Sequence, residues 1–405
     1  MQPGSLGSRA DEALGIYISI PFCRSKCTYC NFASGVYPTS EHARYMERLA
    51  GDLASAPAWA TRMGVELPRS VDTVYLGGGT PSLLAPELVD RLFAALRAAF
   101  ALDPDAEITV ECAPAQIADA TLDALCRAGV NRVSLGVQSF VDREARQSGR
   151  LHTRAAILDD LRRLRAAGIR NLSIDLIAGL PGQSFASWEE SLAVLTEAGP
   201  PHASIYMLEV DEDSRLGREI LSGGGRYRAG EVPGELEIVQ MYGVAIERLR
   251  EAGLEQYEIS NFACPGAESR HNLRYWHRRP YLGLGLDASS MLRAAPGEHA
   301  EDVLRTTATS DLRAWLAGDA PLESVWHSRA RQHEEAWFLG LRTIAGVDPG
   351  ELGREFGPEL VSAALAAAAV LVEEDLLERA GTRLRLTPRG RLLSNEVFER
   401  FLDLP

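Results

Sequence analysis

The chain has 405 residues, 46% hydrophobic and 24% charged, with a formal net charge of −14. That length and apolar share suit one large and one smaller domain, each able to bury a core. The acidic balance argues against a general nucleic-acid-binding surface. No apolar run is long enough for a spanning helix, and the N-terminal segment lacks the apolar stretch of a signal peptide, so no stable membrane insertion is expected.

In chain order, residues 16–20 read as a strand, followed by a cysteine-rich loop and a helix near 41–54. Strands are expected at 73–76, 107–111, 132–137, 172–177 and 204–208. Helices are expected between them, at 86–99, 119–128, 141–148, 155–167 and 187–197. Gly129 and Gly168 each follow a helix and precede an apolar strand, the place of a C-terminal cap. Repeated βα units predict a parallel sheet with right-handed crossovers. Residues 211–233 are loop-rich and read as a surface excursion. After Pro280 the βα rhythm stops, and 330–405 read as helices around a short β pair, in the order of a winged-helix module. The acidic run Glu373, Glu374 and Asp375 favours packing over DNA binding for that module. The expected domains are a tail at 1–14, a barrel at 15–280, a connecting segment at 281–329 and a helical domain at 330–405.

Six cysteines are present, and Cys23, Cys27 and Cys30 fall together in a C-x3-C-x2-C spacing after the first strand. In the reducing cytoplasm expected here, clustered cysteines mean metal more often than disulfide. Three thiolates satisfy three irons of a cube and leave the fourth open to an amino acid's amine and carboxylate. Zinc is the rival reading, but structural zinc wants four ligands, and no second pair is visible. Cys112, Cys126 and Cys264 stand alone and read as small core residues.

Gly77, Gly78 and Gly79 precede Thr80 after the second strand, where a backbone without Cβ atoms approaches a ligand closely. A tight turn would explain them equally well. Glu111, Gln138 and Asp175 fall at or near the ends of later strands, and Arg150 follows twelve residues after Gln138. An acid or amide there suits ribose hydroxyls, and an arginine suits a carboxylate. Singly each is an ordinary polar residue. Jointly they gather at the C-terminal ends of parallel strands, where such folds build their sites.

The cysteine spacing, with an aromatic residue at Tyr29, resembles the radical S-adenosylmethionine (SAM) superfamily. The phrases around Pro21–Cys23, Gly77–Pro81, Gly136–Phe140 and Asp175–Gln183 resemble its coproporphyrinogen III oxidase-related group along nearly the whole chain. The resemblance implies an incomplete (β/α)6 barrel, a [4Fe–4S] cluster on Cys23, Cys27 and Cys30, and bound SAM. It assigns SAM contacts to Tyr17, Tyr29 and Phe32, to Gly77, Gly78, Gly79 and Thr80, and to Glu111, Gln138, Arg150 and Asp175.

That group has two arms, an oxygen-independent oxidase that converts propionates to vinyl groups and the HemW-type heme chaperones. The oxidase carries a fourth cysteine, where this chain has Phe32, and a longer N-terminal arm. His271, Asn272, Tyr275 and Trp276 match an HNxxYW motif associated with heme binding in the chaperone arm. The chaperone arm is therefore expected, with heme as cargo, heme-recipient proteins as partners and at most a peripheral contact with a membrane. His271, Tyr275 and Trp276 are the heme-binding candidates, on the picture of an exposed imidazole beside two aromatic rings. His277 is the nearby alternative. Where relatives often carry a Gly-Ala-His-Ser stretch, Ser289 replaces the histidine.

Overall fold

The computed structural model describes residues 12–297, 301–318 and 321–402. Of the expected N-terminal tail, residues 1–11 lie outside the described residues. The barrel strands are β1 (Leu14–Ile20), β2 (Ser70–Gly78), β3 (Ala101–Cys112), β4 (Arg132–Gln138), β5 (Asn171–Ala178) and β6 (His202–Met207). They lie side by side in sequence order, and every adjacent pair is parallel. The connecting helices are α1 (Thr39–Met63), α2 (Pro86–Ala99), α3 (Asp119–Ala128), α4 (Asp142–Gln147), α5 (Arg154–Ala166) and α6 (Phe185–Ala198). Their apolar faces and the strands share one continuous core, running from Leu14 to Trp315. Gly129 and Gly168 take left-handed backbone after their helices, as the sequence predicts.

Beyond β6 come α7 (Arg215–Leu221), α8 (Glu235–Glu251), β7 (Glu255–Gln256), β8 (Asn261–Ala263) and α9 (Arg270–Trp276). β8 runs antiparallel to β6, with β7 outside it. Residues 281–329, expected as a connecting segment, carry four strands and one helix instead. These are β9 (Tyr281–Leu284), β10 (Ser289–Arg293), β11 (Val303–Thr307), α10 (Leu312–Ala317) and β12 (Glu323–His327). β9 pairs in parallel with β1, and β10 to β12 continue the same sheet antiparallel. The result is one sheet of twelve strands whose two ends, β12 and β7, do not meet. The barrel is therefore open, as expected, but its sheet is twice as wide as the six βα units.

The C-terminal module comprises α11 (Arg329–Arg342), α12 (Pro349–Phe356), α13 (Pro358–Glu373), the hairpin β13 (Leu377–Ala380) and β14 (Arg383–Leu386), α14 (Pro388–Leu392) and α15 (Ser394–Glu399). It has its own core, in which Trp337 stacks on Phe401 at 4.8 Å. Ile259 from the barrel side belongs to that core. The Glu258 carboxylate, fully buried, accepts from Arg342 Nε at 2.9 Å and ties the two bodies together.

α9 lies across the lower, N-terminal ends of the barrel strands. Glu107 of β3 accepts the backbone N–H groups of Arg270 (3.0 Å) and His271 (2.9 Å), the unsatisfied donors of the helix start. Arg274 binds Asp72, Ala13 O and Pro280 O. His271 Nδ1 pairs with Thr73 Oγ1 at 3.0 Å and Nε2 with the Tyr275 hydroxyl at 2.8 Å. Burial holds the His271 pKa down at about 3, and Arg274 adds to the effect. The ring is neutral in the folded protein over the whole range where an unfolded histidine titrates. Because the unfolded chain takes up the proton first, this residue contributes stability that is complete above pH ~6.5 and lost as pH falls toward the folded value. His271→Ala takes a ring partner from the Tyr275 hydroxyl and from Thr73 Oγ1, which keeps only Arg274 Nε at 3.3 Å, and leaves a cavity in the floor, and is expected to cost roughly 2–4 kcal/mol. Denaturant melts at pH 8 measure this, and a variant as stable as the parent would refute the floor role. His271→Asn is expected to show a shallower loss of stability between pH 6.5 and 4.

Candidate functional site

The upper, C-terminal ends of the strands open onto a cavity of about 980 Å3. The loop after β1 brings Cys23, Cys27 and Cys30 to its wall, and no cysteine of the chain is in a disulfide. Neighbouring segments brace this loop. Thr28 N donates to Ser148 O at 3.1 Å, Ser25 Oγ to Gly149 O at 2.9 Å, and Leu216 N to Thr28 O at 2.8 Å. Lys26 Nζ reaches the carbonyls of Phe32 (2.5 Å) and Ser34 (3.0 Å), closing the loop on itself. The segment 211–233, expected as a surface excursion, is thus pinned to the cysteine loop, and Asn31 Nδ2 adds a bond to Asp211 at 2.8 Å.

The glycine loop at the end of β2 is stitched to the same place. Gly79 N donates to Ile20 O at 2.9 Å and Thr80 N to Phe22 O at 2.7 Å. A Cβ on Gly79 would sit 2.7 Å from Phe22 O, so no other residue fits. Gly78 has φ +97, a left-handed conformation that glycine adopts freely. Thr80 Oγ1 lies 4.0 Å from Cys23 Sγ.

Four polar side chains face the cavity from β3, β4, β5 and the α4–α5 loop. Glu111 accepts from the Tyr75 hydroxyl at 2.9 Å and Gly78 N at 3.2 Å. Burial pushes its pKa up to about 7. The Tyr75 hydrogen bond opposes that shift, and the Asp175 charge reinforces it. Asp175 accepts from Ser134 and Ser173. Burial raises its pKa, against the lowering effect of the serine hydroxyls. β4 bulges between Gly136 and Gln138, and Gln138 takes φ +68 there. Its Oε1 is buried and has no hydrogen-bond partner among the described residues. Arg150 bonds Gly136 O and lies 3.4 Å from Cys27 Sγ.

Tyr29, Phe32, Gly78, Gly79 and Thr80 line the same cavity, with Phe32 exposed. Tyr17 and Gly77 do not. The Tyr17 ring packs on Tyr75, 6.2 Å between centroids, and Gly77 lies against the Glu111 carboxyl, so both support the wall from behind. The expected heme residues are not in the cavity either. His271 is 1% exposed and both its ring nitrogens are hydrogen-bonded, so the exposed imidazole of the sequence reading is corrected to a buried floor residue. Tyr275 is its partner, and Trp276 lies under the Arg342 guanidinium at 4.4 Å. His277 is exposed at the end of α9. Ser289 sits exposed on β10, 3.0 Å from Thr307 Oγ1, away from the cavity.

The sequence reading missed the far wall of the cavity. Tyr206, Met207 and Ser260 on the barrel side face Arg342, Arg391 and Asn395 of the C-terminal module. No local motif marks these residues, because α14 and α15 reach the cavity only through tertiary packing.

Three free thiols on one loop at the cavity wall would hold three irons of a cube and leave the fourth open to the cavity. Comparison with known proteins agrees. Residues 17–195 match the Radical SAM superfamily model, and residues 328–393 match the HemN C-terminal domain. A protein named heme chaperone HemW from Lactococcus lactis is 32% identical, over 95% of this chain and 96% of its own length. One of the same name from Escherichia coli is 32% identical, over 96% and 98%. The solved structure of E. coli coproporphyrinogen III oxidase (HemN), titled a radical SAM enzyme, superposes with a TM-score of 0.81 over 96% of this chain and 90% of that one. Its sequence is 23% identical, so it speaks for the fold alone. With both domains in place and relatives matched from end to end, the chain belongs to the HemW family of the radical SAM superfamily.

Proposed function

We propose that this protein is a HemW-type heme chaperone, which binds heme and passes it to recipient proteins, and which carries a [4Fe–4S] cluster and SAM in the cavity above its open sheet. The family implies the cluster and SAM, and the name of the full-length relatives supports the heme. The observation that carries the reading is the meeting of the three thiols, the glycine loop and four polar side chains in one cavity. Exposed Phe32, where the oxidase arm has a fourth cysteine, favours the chaperone. Among the described residues no helix is long and apolar enough to cross a membrane. The same reading gives the protein a cytoplasmic site of action, with peripheral membrane contact only during delivery.

When bound, a reduced cluster supplies an electron to the sulfonium of SAM. The protein's own residues do the rest. Cys23, Cys27 and Cys30 hold the cluster, and Arg150 beside Cys27 pairs with the carboxylate of the methionyl part. The Gly78–Thr80 backbone receives its amine. Gln138, Asp175 and Glu111 accept from the ribose hydroxyls and face the positive charge of the ligand.

Cys23→Ser, Cys27→Ser and Cys30→Ser are each expected to abolish the cluster's visible absorption after anaerobic reconstitution, while far-UV circular dichroism stays unchanged. The parent protein is expected to bind heme on titration and to give no vinyl product from coproporphyrinogen III. Robust vinyl formation would overturn the chaperone reading in favour of the oxidase.

SAM binding is expected to depend on pH through Glu111. Its pKa of about 7 leaves it largely protonated below neutrality, and a cationic ligand selects the ionised form. Affinity should therefore climb as pH rises to ~7 and flatten above it, by up to ~10-fold per pH unit on the acid side. Calorimetric titration of reconstituted protein tests this. Glu111→Gln should remove the slope, and an unchanged slope in that variant would show that Glu111 does not face the ligand.

A further inference from the structure

The far half of the cavity has a charge that the site above does not use. Arg391, at the end of stretch 388–391 in α14, lines the cavity, and its guanidinium makes no hydrogen bond or ion pair with any described residue. Its Nε is wholly buried and without a partner. Partial burial also presses its pKa down. The acid within its electrostatic reach, Glu378, is engaged by Arg385 at 2.7 Å.

Arg342 stands on the same wall. Its Nε is committed to Glu258, and its Nη2 lies 3.4 Å from Ser260 Oγ. The Glu258 charge is already spent, since that carboxylate also accepts from Ser260 N (2.9 Å) and Asn261 Nδ2 (2.5 Å). Glu258 therefore balances Arg342 and Glu378 is engaged by Arg385, so Arg391 has no carboxylate of its own among the described residues and leaves a positive charge at the cavity wall. Glu396 lines the same region but is exposed and forms no ion pair with either arginine.

Ile177, Ile205, Met207, Val210, Leu392 and Leu393 give the cavity lining an apolar share, among polar neighbours such as Glu209, Ser260 and Asn395. A lining with this apolar share and an unpaired guanidinium fits a largely apolar body with a carboxylate at its edge. A half-buried arginine with no carboxylate partner among the described residues is open to a carboxylate ligand, which it would hold through a charge-assisted fork.

We propose that Arg391, with Arg342 beside it, binds a carboxylate of a second, largely apolar ligand in the far half of the cavity. On the chaperone reading, on which this assignment rests, that carboxylate is a propionate of heme. The arginine site thus takes over the ligand-binding part that the sequence reading gave to His271, which the fold buries in its floor.

The test titrates hemin and hemin dimethyl ester, in which both acids are blocked, into full-length reconstituted protein. The parent, Arg391→Gln and Arg391→Lys are compared, with thermal melts to show that all three fold. Arg391 carries no structural bond, so its variants are expected to melt as the parent does. Arg391→Gln is expected to weaken hemin binding by ~10-fold or more, and Arg391→Lys to recover part of the loss. The ester should bind the parent and Arg391→Gln equally and more weakly than hemin binds the parent. Hemin binding that Arg391→Gln leaves unchanged, or an ester as tight as hemin, overturns the assignment while the chaperone reading stands. A parent protein that binds no hemin overturns both.

Discussion

The carboxylate of Glu107 receives the first two N–H groups of α9, and through that contact an open sheet acquires a closed lower end. A parallel sheet that fails to close leaves its strand starts and its polar interior facing water. α9 covers them with a short helix whose polar groups are nearly all accounted for. Arg274 takes two carbonyls and an acid, and His271 takes two hydroxyls. Arg132 at the foot of β4 extends the seal by bonding Asn171 and the carbonyl of Ala267, just before α9. Buried polar groups of this kind hold one arrangement because the alternative strands several of them at once.

The floor and the cavity are joined by a short interior path. The His271 ring lies 5.3 Å from Tyr75 between centroids, and Tyr75 donates to Glu111 in the cavity wall. Tyr17 stacks on the other side of Tyr75. A second path runs from Asp175 through Ser173 and His202 to Tyr257, whose hydroxyl accepts from Ser269 N at the start of α9. Asp175 is therefore held by a chain of hydrogen bonds that ends at the start of the floor helix, while Glu111 is held by Tyr75, whose ring packs against that of His271. The residues of the HNxxYW motif thus stand on the floor helix, at the far end of these contacts from the acids of the cavity.

The βα order, the two glycine caps and the cysteine triad were legible in the sequence, because each depends on residues close together in the chain. Gly129 and Gly168 needed only their own backbone. The glycine loop was legible as a close approach, though not its reason, the carbonyls of Ile20 and Phe22. The segment 281–329 was not legible as sheet. Its strands have four or five residues each, too few to show a period of two, and their partners are set by register with β1. His271 was misread because its burial comes from Thr73 and Glu107, 198 and 164 residues away. Seen alone, an imidazole followed by two aromatic residues looks like a surface platform.

The far wall was invisible for the same reason, and it shows what the C-terminal module contributes. A barrel that opens between β12 and β7 needs something beside β6 to bound its upper cavity, and α14 and α15 supply it. The join is electrostatic at its centre. Arg342 leaves α11 to meet buried Glu258, while its guanidinium plane rests on Trp276 at the end of the floor helix. One side chain thus touches the cavity wall, the module and the floor. The Arg342–Glu258 pair is fixed by three donors on one carboxylate, so it spends its charge on docking the module. Arg391 sits on the docked surface with no such duty. The division assigns one arginine to holding the wall in place and leaves the other as the charge the cavity presents to what enters it.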